Sequence, residues 1–291
     1  MSELLQFLIS GLTSGAIYAL IALGFTIIYN ATEVINFAQG EFVMFGAMFM
    51  ATFMGKLGWP LPVAFTLAVF LTAGIGILVE RLTIYPARHS TPITLIIITI
   101  GVSILLKGIA MFAWGKDSLP VPAFISESPI RIFGATLVPQ SLLVIIVALV
   151  SVFLLEIFFR KTIRGKAMRA CAANRLAARL IGIKVEPLVL FAFGLSAGLS
   201  AIAGAIISPI TFATYDMGTM LGLKGFSAAV LGGLSSSIGS VAGGFLLGIL
   251  ESLAAGFLSS AYKDAAAFII LLLMLFIKPE GLFGLKEAKK I

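Results

Sequence analysis

Reactive side chains are scarce in this sequence. It holds one cysteine, Cys171, and one histidine, His89, in 291 residues. That excludes an intrachain disulfide and leaves no conventional Cys/His metal site. No Gly-x-x-x-x-Gly-Lys-Ser/Thr run is present, so the chain has no P-loop for ATP. There is no His-Glu-x-x-His pair, and His89 falls in a charged loop, away from any credible serine. Charged residues make up only 11% of the chain. Few acids lie inside apolar runs; Glu41 and Glu251 are the ones available to a proton relay. No Lys or Arg precedes Lys56, so the N-terminus lacks the basic region of a signal peptide, and the first apolar run is expected to stay in the mature protein. No catalytic, metal-binding or cofactor-binding set is expected. An enzyme is not expected.

What is present is apolar length. The sequence is 60% hydrophobic, and several runs exceed the roughly 18 residues that span a bilayer. No soluble domain buries that much, so the fold class is an all-α polytopic membrane protein in contact with lipid, one transmembrane domain over 1–291. The net charge of +7 follows topology and does not call for nucleic acid. Its main source is 160–184, which holds Arg160, Lys161, Arg164, Lys166, Arg169, Arg175, Arg179 and Lys184 and no acid. Positive loops resist translocation, so this segment is expected on the cytoplasmic side. Its alanines favour one short helix, with Gly182 as a stop signal. A plain positive-inside anchor and a helix offered to a partner both fit.

Loops 80–91 and 160–185 and the Lys278–Lys290 tail are then inside, and 115–139, 208–219 and 258–264 outside. Counting back from a cytoplasmic C-terminus gives about 8–9 spans, nine if Leu221–Ser237 crosses fully, and an external N-terminus. The residues Ile130–Val138 suggest a short hairpin in the long external loop. Gly11 and Gly15, and Gly194, Gly198, Ser200 and Gly204, fall at or near four-residue spacings that let helices approach closely, and Gly239, Gly243, Gly244 and Gly248 open the eighth span. Lys107 either snorkels outward or pairs with a buried acid.

Two polar stretches interrupt the apolar pattern. Asn30–Glu41 contains Asn36, Gln39 and Glu41. The second includes Ser235, Ser236 and Ser237. The first reads as a simple turn or as a kink facing a water-filled path, where irregular backbone is tolerated; the second, Ser235–Ser240, breaks the short or partial helix over Leu221–Ser237. Gly24-Phe25 before the first break and Gly225-Phe226 before the second hint at an internal repeat, an arrangement common in transporters.

The residues also resemble a known family. Tyr18–Tyr29 followed by Asn-Phe-Ala-Gln-Gly-Glu at Asn36–Glu41, the loop Arg164–Ile183, the run Val230–Glu251 and the ending Lys-Pro-Glu-Gly-Leu-Phe-Gly at Lys278–Gly284 are similar to the LivH-like permease subunits of branched-chain amino acid ABC importers. The matches cover the whole chain in family order. The resemblance implies a type II-like importer permease bundle in a bacterial or archaeal inner membrane. It implies four kinds of association: a homologous permease in a heterodimer, two cytoplasmic ABC ATPase subunits, an external or periplasmic solute-binding protein, and lipid. The loop helix around Ala170–Leu180 would sit in a groove of the ATPase, with Arg164, Arg169, Arg175 and Arg179 making contacts, Asn174 and Gly182 matching the family segment, and Gly182 letting the chain turn out. Asn36, Gln39, Glu41 and Ser235–Ser237 would line the path, unless they serve helix packing. Branched-chain amino acids are the expected cargo, although urea, amides or other amino acids use the same architecture. A stand-alone ion-coupled transporter is the alternative, with Glu41, Lys107 and Glu251 as its coupling residues.

Overall fold

Small residues decide which helices meet. In a computed structural model that describes residues 2–125, 128–132, 134–257 and 259–284, α1 (Ser2–Thr32) and α10 (Ser237–Phe257) run antiparallel in close contact. Gly11 and Gly15 of α1 lie against Gly248 of α10, and Gly244 lies against Ala19. Helices without side chains at the seam approach until backbones touch. The basic tail residues Lys286, Lys289 and Lys290 lie outside the described residues.

The remaining elements are α2 (Gln39–Met50), continued by a π-helical turn to Lys56, α3 (Leu61–Val79), with a second π turn to Ile84, and α4 (Pro92–Trp114). A hairpin follows, β1 (Ile130–Ile132) and β2 (Ala135–Leu137), paired Ile130↔Leu137 and Ile132↔Ala135 as the sequence suggests. Then come α5 (Pro139–Lys161), α6 (Ile163–Ala173), α7 (Arg175–Leu180), α8 (Val185–Thr211), α9 (Met217–Gly232) and α11 (Lys263–Ile277). Among the described residues seven of these helical stretches are long and apolar enough to cross a membrane, and the shorter α2 and α9 pack among them without reaching that measure. Helices α1 and α8 are sheathed by protein over most of their length, whereas α5 and α11 turn mostly outward. Their outer faces carry Phe153, Leu154, Leu272 and Phe276, all exposed, as expected of surfaces that meet lipid chains.

The loops segregate to two ends, as the charge pattern predicts. At one end Tyr85, Arg88 and His89 share a cleft with Arg175 and Arg179. At the other, Leu119 and Ala213 pair by two backbone bonds of 2.9 Å, and Thr136 N donates to Gln6 Oε1 at 2.8 Å. The start of α1 is therefore at the hairpin end and its close at the basic-loop end.

Three local expectations change. The basic loop is not one helix over Ala170–Leu180: Asn174 is extended (φ −160°, ψ 106°) and its Oδ1 accepts from Ala177 N at 2.9 Å, capping a separate α7. An Asn side chain at an N-cap competes with helix continuation. Gln39 and Glu41 stand in the first turn of α2, and the irregular stretch is only 33–38. Met217–Gly232 is a continuous helix despite its glycines, because Gly218 and Gly222 pack on Gly40 and Gly232 on Gly239; packing outweighs the roughly 1 kcal/mol each glycine costs an isolated helix.

The Lys278–Gly284 ending has a clear structural task. Leu282 N donates to Leu231 O at 2.9 Å and Phe283 N to Gly232 O at 3.0 Å. These are the last carbonyls of α9, which have no partner within the helix. Gly281, at φ +83°, lies so close to Gly233 that a Cβ would come within 2.4 Å of its nitrogen.

Candidate functional site

The first break is built from its own polar groups. Asn36 Oδ1 accepts from Ala38 N at 3.1 Å, and Phe37 N donates to Thr99 Oγ1 of α4 at 3.1 Å. An Asn turn of this kind starts α2 without a regular cap. Gln39 is then fully engaged. Its Nε2 donates to Ser200 Oγ at 2.6 Å, and its Oε1 accepts from Ser196 Oγ at 2.9 Å. Ser196 Oγ also lies 2.8 Å from Gly24 O. Gln39 thus ties the start of α2 to α8 and α1 in the packed interior. Asn36 is equally buried. Glu41, 1% exposed, faces α4, where Ser103 Oγ donates to its Oε1 at 2.9 Å.

The second break sits elsewhere, at the basic-loop end. Ser236 Oγ accepts from Gly239 N at 3.1 Å and caps the first turn of α10. Asn30 Nδ2 donates to Ser235 O at 3.3 Å, so the close of α1 and the α9–α10 turn adjoin. Ser235, Ser236 and Ser237 line a cleft of about 630 Å³ together with Asn30, Arg160 and Arg169. The two sets of polar residues are therefore separate: one interior group at the start of α2, one cleft beneath α6. Phe25 and Phe226, matched by the repeat hint, do lie together, with ring centroids 5.8 Å apart.

In the basic segment the arginines have neighbours within the chain. Arg179 Nη2 bonds Glu186 Oε1 at 3.0 Å, Arg164 lies 5.7 Å over the Phe191 ring, and Arg169 lines the cleft just described. Beside exposed Arg179, α7 and its close turn apolar side chains outward: Leu176, Leu180 and Ile181 are 70%, 81% and 75% exposed. Gly182 follows at φ +87°. Reading the loop by charge missed this patch, although Leu176 and Leu180 at a four-residue spacing carried the signal. Cys171 is buried, and burial pushes its thiol up from the ordinary value. A water-soluble maleimide is expected to label Cys171 at least about tenfold more slowly than a cysteine placed at exposed Ala172 in a Cys171→Ala chain, since thiolate fraction and access both set the rate; mass spectrometry of timed reactions reads the ratio.

A further polar cluster was invisible in the sequence. Lys224 Nζ lies 2.7 Å from Glu251 Oε1 and 2.6 Å from Asp264 Oδ1, and Tyr18 OH donates to Glu251 Oε2 at 2.8 Å. One cation, two acids and a phenol join α1, α9, α10 and α11. Lys107 reaches Thr219 Oγ1 at 3.4 Å and is half-buried, so it does not snorkel free, and it forms no direct ion pair among the described residues.

Comparison with known proteins agrees over almost the whole chain. The family described as "Branched-chain amino acid transport system / permease component" matches residues 7–277. The "High-affinity branched-chain amino acid transport system permease protein LivH" of Escherichia coli is 34% identical over 300 residues, covering 99% of this chain and 97% of that protein. The corresponding BraD protein of Pseudomonas aeruginosa is 33% identical over 303 residues, covering 99% and 98%. A solved chain, "PsaBC from Streptococcus pneumoniae in complex with Fab", overlays with a TM-score of 0.48 at 16% identity, covering 96% of this chain and 91% of that one.

Proposed function

This chain belongs to the branched-chain amino acid transport system permease family, and from that membership we propose that it is the channel-forming subunit of an ATP-driven importer for branched-chain or related hydrophobic amino acids. It is a multi-pass membrane protein of the inner membrane type. In this reading the basic-loop end faces the cytoplasm, as positive loops do, and the N-terminus and the hairpin face outward. A homologous permease completes the path as a heterodimer. Two ABC ATPase subunits work from inside, and a solute-binding protein delivers cargo from outside.

The observation that supports coupling to a motor is the exposed Leu176, Leu180 and Ile181 on α7. An apolar cluster on a charged loop beyond the bundle costs solvation until something covers it. Closure of the ATPases would press on α6 and α7. The capped joint at Asn174 and the turn at Gly182 would pass that motion to α5 and α8, which flank the loop. Arg175 and Arg179, held near Arg88 and Glu186, would fix the angle of α7 and leave docking to the leucines. The two polar sets would divide the path, with Glu41 at membrane depth and Ser235–Ser237 at the inner mouth, while Asn36 and Gln39 hold the broken helix in shape.

The test is co-purification of the ATPases with the chain and leucine uptake by the assembled complex. Leu176→Ser with Leu180→Ser is expected to lower both at least about tenfold, since two buried leucines contribute about 3 kcal/mol or more to a contact, with insertion of the chain unchanged. Wild-type co-purification in that variant would overturn the docking role of α7. Concentrative uptake by the isolated chain would favour an ion-coupled carrier instead.

A further inference from the structure

Charged and polar side chains gather where α4 passes the first turns of α2 and α9. Ser103 and Lys107 stand one turn apart on α4, about 16 Å and about 22 Å along its axis from Pro92, well within a bilayer core. Thr219 and Asp216, at the start of α9, are exposed on the same face, and Lys107 Nζ lies 5.9 Å over the Tyr215 ring. Lipid is a poor surrounding for such groups at this depth; they belong on a water-lined path or against another chain.

Glu41 forms the floor of this cluster, and its two oxygens differ. Oε1 takes the Ser103 bond, while Oε2 has no partner in good hydrogen-bond geometry among the described residues, although the Thr219 hydroxyl approaches the carboxylate and the residue is 1% exposed. A buried carboxylate oxygen without a donor is costly and calls for one. Burial works against charge on this group, and two helix ends offset part of that cost: Glu41 is in the first turn of α2, and Oε2 sits so near Gly218, in the first turn of α9, that a Cβ there would come within 2.8 Å. Two helix N-termini thus converge on one carboxylate. Of the nearby charges, Lys107 attracts it and Asp216 repels it. Among the described residues the Lys107 ammonium makes one long hydrogen bond, to Thr219, besides its place over the Tyr215 ring, leaving donors free.

We propose that Glu41 and Lys107 are the two poles of a seat for the zwitterionic head of the transported amino acid. The substrate ammonium takes the free Glu41 Oε2, and its carboxylate meets Lys107 Nζ and the Thr219 hydroxyl. Ile104, Met111 and Met220, exposed beside these groups, offer apolar contact to its side chain. The path then runs over the α4–α9 face of the chain and not through its own packed interior, where Gln39 is locked to α8. The seat rests on the importer reading above and adds to it where the cargo is held and by which charges.

The experiment uses the complete complex in proteoliposomes, with labelled leucine and simultaneous measurement of ATP hydrolysis. Lys107→Met and Glu41→Gln are expected to lower leucine moved per ATP hydrolysed by about tenfold or more, the scale of one charge-assisted bond, and Lys107→Arg to restore most of it. A purely structural role lowers uptake and hydrolysis together and leaves the ratio unchanged. An unchanged ratio in both variants overturns the seat alone. A wild-type complex that hydrolyses ATP and moves no leucine overturns the importer reading, and the seat with it.

Discussion

Gly248→Val is expected to remove nearly all folded chain from the membrane. A Cβ at this position would lie 2.3 Å from Gly15 N, 2.4 Å from Gly15 Cα and 2.5 Å from Gly11 O. All three are backbone atoms of α1, so no rotamer change relieves the overlap. The helix as a whole must move. It cannot move alone, because α1 is enclosed: Gly24 abuts the Gln39 side chain, Thr26 Oγ1 meets Ser240 Oγ at 2.5 Å, and Ile21 fills the space over Gly225. Overpacking a well-filled core costs about 1–3 kcal/mol where neighbours yield; here the seam between the two most extensively joined helices opens instead. Gly101 of α4 supplies the control. Nothing lies within 4 Å of a Cβ built there, so Gly101→Val is expected to accumulate like wild type, within the roughly 1 kcal/mol that helix propensity allows. Detergent extraction followed by size-exclusion chromatography with a fluorescent fusion measures both. A monodisperse peak of normal height for Gly248→Val would mean that the α1–α10 seam is not what holds the bundle together.

One side of that seam was legible in the sequence, because the four-residue spacing of Gly11 and Gly15 states how near a second helix can come, but not which helix it is. The hairpin at Ile130–Leu137 and the segregation of the loops were legible for similar reasons, since turn residues and charge act locally. The broken helix was not. Asn36, Gln39 and Glu41 read together as one polar break, yet the structure gives them three tasks: a turn, a tie and an open carboxylate. The difference lies in partners far along the chain. Ser196 and Ser200 satisfy Gln39 from more than 150 residues away, and Ser103 meets Glu41 across α4. Polar groups whose partners are that distant look like loop when read in one dimension. The basic segment misled in the opposite direction. Its arginines drew attention by their number, while the apolar side chains among them, Leu176, Leu180 and Ile181, stand uncovered beside Arg179. Lys224 escaped altogether: it is a single cation among glycines and apolar residues, and its acids lie 27 and 40 positions away, on two other helices.

Lys224→Met is expected to be the most damaging removal of a single charge. Lys224 and Glu251 have side chains only 8% exposed, and Asp264 completes the ion set. Without the ammonium, Glu251 and Asp264 face each other across α9, α10 and α11, with Tyr18 still donating to Glu251. Taking one partner from a buried ion pair costs about 3–5 kcal/mol, most of it the penalty of the charge left behind. For a chain of this size that lowers the melting temperature by on the order of 10 °C. The sign of the cycle tests the cause. If the stranded acids are what destabilises, then adding Glu251→Leu and Asp264→Asn to Lys224→Met should recover most of the loss, since a buried ion set can often be replaced by apolar groups at little cost. Additive losses through the series would mean that packing, not charge, is at stake. The same measurements bear on the rival carrier mechanism, which would use Glu251 as a coupling group. Both its oxygens are engaged, by Lys224 and by Tyr18, and a carboxylate that must bind and release an ion on every cycle is poorly served by such a fixed set. Recovery of stability together with leucine uptake in the triple variant would assign the cluster to holding four helices in register, and would leave the movement of cargo to the α4–α9 face.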